Sequence, residues 1–283
     1  MAQAKVQRQS CATGALIAIL VGLVALGWFM PTQAFAESLE HRIARIAPHF
    51  TVSRPDAGAR VPVVLMMHGC GGPRPFIEDM AEVAVAAGAA AVQIDSFAPR
   101  RISRVAAFAT VCTGARLHGR ERAGDLYAAY AWARAQDWAD PNRIAVIGWS
   151  HGGWTIMDAL SLRDGEMRRF TGLSDLADEP LDGLAGAMMV YPYTGVGTYV
   201  GRRDWRFAPR ESVAIIAEAD YIVGDSRSAL ERQRARGAPL RILLFEGATH
   251  AFEDERAKDP RVRYNPLATQ REHELLREMI AGL

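Results

Sequence analysis

The chain lacks a charge imbalance. Its 33 basic and 32 acidic residues leave a formal charge of +1, and no dense tract of lysine and arginine interrupts it. We therefore expect no nucleic-acid partner, which would require a basic surface of that kind. Internal repeats and low-complexity linkers are also missing. With 283 residues, 49% of them hydrophobic, the sequence predicts one large globular domain.

Charge is missing altogether from one stretch near the N-terminus. No charged residue occurs between Arg8 and Glu37, and an apolar run occupies residues 12–30. Pro31 ends this run, and the small residues at 34–36 suit a signal peptidase. The stretch therefore predicts an export segment.

Two interpretations of the export segment stay open. In the first, residues 1–36 form a signal peptide that is cleaved before Glu37. In the second, the segment stays attached as a membrane anchor, because its apolar run approaches the roughly 20 residues that span a bilayer. In both, basic residues before the run keep the N-terminus inside. We expect residues 37–283 to form a periplasmic or secreted domain, which contacts a membrane only if the segment is uncleaved.

Cysteine is scarce. Of the three cysteines, Cys11 lies in the export segment, so only Cys70 and Cys112 reach an oxidising compartment. An even number of exported cysteines favours a disulfide between Cys70 and Cys112, the alternative being two buried thiols. No cysteine and histidine cluster has a zinc-like spacing. We therefore expect no metal site.

Apolar, β-branched runs alternate with helical patterns along the rest of the chain. Strands are predicted at residues 61–67, 90–94, 144–147, 184–190, 213–217 and 240–245. Helices are predicted at residues 76–87, 121–135, 153–162, 225–236 and 269–280. Short early strands are expected around Ile43, Ile46, Phe50 and Val52, and residues 100–118 look irregular. The alternation predicts an α/β fold with a parallel sheet covered on both faces.

A serine between glycines follows one predicted strand and precedes a predicted helix, in the motif Gly148-Trp149-Ser150-His151-Gly152. A strand that turns sharply into a helix needs small neighbours, and glycines two positions before and after the serine supply them. Such a turn exposes the hydroxyl at its apex. The motif therefore predicts a nucleophile at Ser150.

A serine hydroxyl needs a base to take its proton and an acid to orient that base. Asp220 follows the predicted strand at 213–217, and His250 follows the one at 240–245. The order nucleophile, acid, histidine is the one that a sheet of this kind requires. Glu218 is an alternative acid, and Asp220 has the alternative role of capping the next helix.

Acyl transfer also needs N–H donors directed at the oxyanion. The amide of His151 lies at the start of the predicted helix, where the helix dipole favours negative charge. The glycine-rich loop at 68–72 follows the first strong strand, and we expect the amide of Cys70 to be the second donor. A disulfide to Cys112 would then hold the oxyanion loop. The alternative for this loop is a plain tight turn.

Five motifs in this order, MMHGCGG, IDSFAPR, DPNRIAVIGWSHGG, AEADYIVG and EGATHAF, make the chain resemble the dienelactone hydrolase family of α/β-hydrolases. The resemblance implies the α/β-hydrolase fold, a mostly parallel twisted sheet with helices on both faces. It also implies a triad of Ser150, Asp220 and His250, with the amides of Cys70 and His151 as the oxyanion hole.

The chain departs from that family at the nucleophile, where the dienelactone-cleaving members carry cysteine and this sequence has Ser150. The resemblance therefore implies a carboxylesterase or lipase-like acyl hydrolase rather than the namesake substrate. The expected partner is a small-molecule ester, and the chemistry requires no metal or organic cofactor. Two other hypotheses remain: a peptidase or amidase with the same triad, and a non-catalytic binding protein.

Aromatic residues between two late strands are candidates for the substrate pocket. Tyr191, Tyr193 and Trp205 either line the acyl or alcohol pocket or pack down on the sheet. This segment is too short for a large lid domain. Arg100 and Arg101 follow a predicted strand and either bind a substrate carboxylate or lie in solvent.

Overall fold

Seven mostly apolar runs form one sheet, and helices connect them. The computed structural model describes residues 36–283, so the predicted export segment lies outside the described residues except for its last position. The strands are β1 (Phe50–Ser53), β2 (Val61–Met67), β3 (Ala90–Ile94), β4 (Ala139–Trp149), β5 (Gly186–Val190), β6 (Glu211–Ala217) and β7 (Leu240–Phe245). The α-helices are α1 (Leu39–Ile46), α2 (Pro75–Ala86), α3 (Arg104–Thr110), α4 (Gly119–Arg134), α5 (His151–Ser161), α6 (Asp164–Thr171), α7 (Arg227–Ala235) and α8 (Pro266–Ala281), and 3₁₀ turns cover Ala47–His49 and Ala98–Arg100.

The strands lie in the order β1-β3-β2-β4-β5-β6-β7. Only the edge strand β1 is antiparallel to its neighbour, and the other pairs are parallel. Because parallel strands all point the same way, the loops after β2, β4, β5, β6 and β7 meet at one edge of the sheet. This edge is where the predicted site residues collect.

Helices cover both faces of the sheet, because alternate strand residues point to opposite sides. One core contains Leu65 of β2 together with apolar residues of α4, α5 and α7. The other contains Met66 of β2 together with apolar residues of α2 and α8. The predicted two-sided parallel sheet is confirmed, and residues 36–283 contain no separate lid domain.

The predicted strands and helices are found, with helix ends that differ from the prediction by up to about three residues. Two expectations are wrong. Ile43 and Ile46 lie in α1, where the Ser38 side chain accepts a hydrogen bond from a first-turn amide, and only Phe50 and Val52 lie on a strand. Residues 100–118 contain the regular helix α3. No helix within 36–283 has both the length and the apolar character to cross a bilayer.

Candidate active site

Ser150 lies at a sharp turn between β4 and α5, with a φ of 53° and a ψ of −110°. This left-handed backbone is strained for serine, and strain of this kind is typical of functional sites. The turn needs both flanking glycines. A Cβ on Gly152 would lie 2.0 Å from the Met67 carbonyl oxygen, and one on Gly148 would lie 2.6 Å from the backbone of Gly152. The predicted strand-to-helix turn is confirmed.

A cavity of about 910 Å³ opens at this edge of the sheet, and Ser150 and His250 both lie in its wall. Cys70 and His151 lie in the same wall. Four of the residues that the sequence singled out are therefore brought together from loops that follow three different strands.

Asp220 lies behind His250. The two side chains are joined by a hydrogen bond of 2.7 Å between Nδ1 of His250 and Oδ2 of Asp220. The other oxygen, Oδ1, accepts hydrogen bonds from the amides of Ile222 and Val223 at 2.8 and 3.0 Å. Both carboxylate oxygens are thus occupied, and the side chain has one orientation.

Neither alternative for Asp220, a different acid at Glu218 or a role in capping the next helix, is found. Glu218 is exposed and accepts a hydrogen bond of 2.9 Å from the amide of Gly247, in the loop that leads to His250. The N-terminus of α7 begins after Ser226, so Asp220 does not cap that helix. Of the two acids, only Asp220 contacts the histidine.

Of the three aromatic pocket candidates, two line the cavity. Tyr191 and Tyr193 lie in its wall, and the Tyr191 ring packs against the His250 ring with centroids 4.6 Å apart. For Trp205 the second alternative holds, and the residue packs down on the sheet instead of lining the cavity. Its indole is 8% exposed and packs in the core beside α4, α5 and α7, because the segment folds down onto the sheet at that point.

The loop after β2 is fixed by hydrogen bonds of His68, which is buried and neutral. Nδ1 of His68 lies 2.7 Å from the Gly69 carbonyl, and its Nε2 accepts a hydrogen bond of 3.3 Å from the Ser96 amide. Burial and the nearby Arg122 charge lower the pKa of His68 well below its ordinary value. One ring nitrogen therefore donates and the other accepts, which fixes the loop that carries Cys70.

Arg122 connects this loop to the residue after the nucleophile. Its guanidinium is fully buried and donates to the His68 carbonyl at 2.6 Å and to the Ser96 hydroxyl at 2.8 Å. It also lies 3.4 Å from Nδ1 of His151. Burial and the Arg122 charge lower the pKa of His151 to about 3, so its ring is neutral at physiological pH. Arg122 itself, with a pKa lowered to about 9 by burial, still carries its charge there.

A disulfide joins Cys70 to Cys112, as predicted, with an S–S distance of 2.08 Å. It ties the loop after β2 to the segment that follows α3. Phe108 of α3 lies in the cavity wall, with its ring about 3.4 Å from the Cβ position of Gly71. The helix α3 thus forms one side of the cavity, which the sequence did not predict.

Neither alternative for Arg100, a substrate carboxylate or solvent, is found. Its guanidinium donates two hydrogen bonds of 2.8 Å to Asp125, which also accepts one of 3.0 Å from Arg42. Burial raises the pKa of Asp125, but the two arginines outweigh it and hold that pKa well below the usual range. Arg101 is exposed and lies outside the cavity wall. Both arginines are therefore away from the site.

The outer wall of the cavity is formed by the loop between β7 and α8, which sequence reasoning also missed. In this loop Asp254 accepts a hydrogen bond of 3.0 Å from Nε of Arg74, and Asp259 pairs with Arg261 at 2.7 Å between the carboxylate and the guanidinium. No spacing rule points to this loop, because its residues reach the cavity only through the path of the chain after His250.

Comparison with known proteins places this architecture in one fold class. A model of the prolyl oligopeptidase family matches residues 106–170. No curated protein matches the sequence significantly. The fold is similar to a proposed dienelactone hydrolase from Klebsiella pneumoniae, at 16% identity and a TM-score of 0.60 over 82% of this chain and 92% of that one.

Two further solved structures are similar. Esterase 2 of Thermogutta terrifontis, phosphoramylated by tabun, has 17% identity and a TM-score of 0.61 over 82% of this chain and 88% of that one. A dienelactone hydrolase-like promiscuous phosphotriesterase from metagenomic libraries has 16% identity and a TM-score of 0.55 over 83% of this chain and 98% of that one. The chain has the α/β-hydrolase fold. Its solved neighbours include the dienelactone hydrolase-like proteins that its motifs resemble.

Proposed function

We propose that this protein is a serine hydrolase that cleaves carboxylic esters through an acyl-enzyme on Ser150. The observation that carries the proposal is the 2.7 Å hydrogen bond between His250 and Asp220, together with a serine on a strained turn in the wall of the cavity that His250 also lines. A hydroxyl, an imidazole and a buried carboxylate in this order are the parts of a nucleophilic triad.

The hydrogen bonds around Asp220 define how the base works. Its carboxylate accepts the Nδ1 proton of His250, so Nε2 is free of a proton and takes the one from Ser150. The serine oxygen then attacks the ester carbonyl. His250 returns the proton to the leaving alcohol, and a water molecule activated by the same histidine releases the acyl group.

The negative charge on the carbonyl oxygen is stabilised by the amides of Cys70 and His151 in this mechanism. α5 begins at His151, so the positive end of its dipole lies at the oxyanion. The His151 ring is neutral and adds no competing charge. Each amide of this kind typically contributes about 2.7–4 kcal/mol to transition-state stabilisation.

Peptide or amide cleavage is a second candidate, because a peptidase family model matches residues 106–170. That range contains α4, β4 and the turn at Ser150, which any serine hydrolase of this fold shares. The names of the solved structural neighbours favour an ester substrate. We therefore place ester hydrolysis first.

The two candidates are separated by turnover measurements. We expect purified protein to hydrolyse p-nitrophenyl esters, with kcat/KM varying with acyl length from acetate to octanoate, and to leave aminoacyl p-nitroanilides intact. The Ser150→Ala variant should show no turnover. Anilide turnover that exceeds ester turnover would favour the peptidase, and no turnover by the wild type would favour a binding protein.

Export of residues 37–283 remains part of the proposal. The disulfide between Cys70 and Cys112 supports it, since disulfides persist in oxidising compartments. Intact mass measurement of the protein from a fractionated bacterial host tests it. We expect the periplasmic protein to lack residues 1–36, whereas full-length protein in the membrane fraction would indicate an anchor.

A further inference from the structure

Two buried carboxyl groups lie directly behind the candidate site. Glu253 is three residues after His250, in the loop after β7, and Glu272 lies on α8. Glu253 is 4% exposed and Glu272 is fully buried. Neither forms an ion pair with another side chain in the described part of the chain. Buried carboxyl groups without a counter-charge need another explanation for their stability.

Each carboxyl group accepts a hydrogen bond from a neutral aromatic side chain that borders the site. The Tyr191 hydroxyl donates to Oε2 of Glu253 at 2.9 Å. The indole Nε1 of Trp149 donates to Oε1 of Glu272 at 2.9 Å. Trp149 directly precedes the proposed nucleophile, and the Tyr191 ring packs against His250.

The remaining oxygens of the two groups, Oε1 of Glu253 and Oε2 of Glu272, are buried and have no donor among residues 36–283. The two carboxyl groups are nevertheless neighbours whose side chains interact directly. Two ionised carboxylates repel, whereas one proton between them satisfies both oxygens. Burial raises the pKa of both groups, and the neighbouring Glu253 raises that of Glu272 further. One of the two carboxyl groups therefore holds a proton that the other accepts.

We propose that Glu253 and Glu272 share one proton and act as positioning residues for the catalytic serine and histidine. The pair completes a hydrogen-bonded chain that runs from Tyr191 through the two carboxyl groups to Trp149. It thereby fixes the end of β4 relative to the loop that carries His250. The inference rests on the proposed function, because it assigns the pair a role in that same site.

Loss of the shared proton would open this chain. Two negative charges would then face each other in a buried space, where their repulsion is weakly screened. The titratable groups that face the pair are Tyr191 at the end of β5, His250 in the same loop and, through Tyr191, Asp220 from the end of β6. Arg74, near the start of α2, is paired with Asp254, so no free cation among these groups compensates for the second charge.

Glu272→Gln is the variant that tests the shared proton without relying on activity. The glutamine carbonyl accepts from Trp149 and its amide donates to Glu253, so the variant imitates the protonated state and does not titrate. A carboxyl whose pKa is raised by folding stabilises the fold less as pH rises above its unfolded pKa. We therefore expect the wild type to lose stability relative to Glu272→Gln as the pH rises. The ratio of their unfolding equilibrium constants, wild type over variant, should rise by up to tenfold per pH unit above about pH 4.5.

Urea unfolding between pH 5 and 9 measures this ratio, with Glu274→Gln as the matched control. Glu274 lies on the same helix but is exposed and pairs with Arg271, so the control should follow the wild-type pH dependence. A ratio that stays flat with pH, or a Glu272→Gln protein that unfolds at every pH, would overturn the shared proton.

The positioning role is tested by the alkaline limb of kcat/KM for a p-nitrophenyl ester. We expect Glu272→Gln to match the wild type at pH 7 within about threefold and to retain activity at higher pH than the wild type. Glu272→Ala should lower kcat more than tenfold with little change in KM. Identical alkaline limbs would refute the role. If the wild type hydrolyses no ester, the proposed function fails while the unfolding experiment still reports on the proton.

Discussion

Replacement of Asp220 by asparagine tests the proposed base more sharply than its removal. Oδ1 of Asp220 accepts two backbone amides at 2.8 and 3.0 Å, and only an oxygen can take that place. The asparagine NH₂ must then face Nδ1 of His250, which lies 2.7 Å from Oδ2 in the wild type. Nδ1 becomes an acceptor, so the proton moves to Nε2, which can no longer deprotonate Ser150.

The expected loss of kcat in Asp220→Asn follows from the wrong tautomer of His250. The same exchange in a serine protease triad lowers kcat by about 10⁴-fold, which corresponds to about 5.5 kcal/mol of transition-state stabilisation. We expect a similar loss of kcat here and little change in KM for a p-nitrophenyl ester. The fold should persist, because the two backbone bonds remain. We expect the free energy of unfolding to fall by only about 1–3 kcal/mol.

Glu218→Gln is the matched control for this experiment. Glu218 lies two residues before Asp220, is exposed, and accepts a bond from the Gly247 amide that a glutamine oxygen can also accept. Its kcat should stay within about twofold of the wild type. The reasoning is refuted if Asp220→Asn keeps kcat within tenfold of the wild type while folded, or if Glu218→Gln loses as much.

Three further predictions concern the frame around the site. Replacing Cys70 and Cys112 by serine removes a disulfide between residues 42 positions apart. The change should lower the unfolding free energy measured in urea titrations by about 4 kcal/mol and should slow ester turnover. Unchanged turnover would show that the oxyanion loop does not need the disulfide. Gly152→Ala places a Cβ 2.0 Å from the Met67 carbonyl, so soluble yield and Tm should collapse, and a stable, active variant would contradict the turn geometry. Asp125→Asn removes the carboxylate that pairs with Arg100 and one of the two carboxylates that pair with Arg42, which keeps Glu37. The change should cost about 3–5 kcal/mol of unfolding free energy at pH 7, because the mostly buried Arg100 loses its partner. Because folding lowers the pKa of Asp125, its carboxylate stabilises the fold above the unfolded pKa, and this stabilisation is lost as the pH falls. The difference in unfolding free energy between the wild type and Asp125→Asn, measured by urea unfolding, should therefore narrow below about pH 4. A difference that is constant with pH would refute this.

The strands of the sheet were predictable because their patterns are local. β2, β3 and β7 begin and end at the predicted residues, since continuous apolar runs between turn residues are typical of buried strands. α3 was missed because its sequence carries no amphipathic signal. Val105 and Phe108 are 81% and 53% exposed, and Ala107 is its one buried residue. The cap at Ser103 and the nearby disulfide hold it in place.

The candidate site was predictable where its residues follow strands in chain order, as Ser150, Asp220 and His250 do. Side-chain partners distant in the sequence were not. Arg42 and Asp125 are 83 positions apart, and no pattern in the chain marks their pairing. The same holds for Trp149 and Glu272, which are 123 positions apart. Their pairing depends on how α8 packs against the sheet.

The central claim is that Ser150 is the nucleophile, and covalent labelling tests it most directly. Purified protein is treated with a fluorophosphonate, digested and mapped by mass spectrometry, beside Ser150→Ala. The account predicts a single adduct on the peptide that contains Ser150, formed by the wild type and absent from the variant. An unlabelled wild type, or an adduct on another residue that persists in Ser150→Ala, would contradict it.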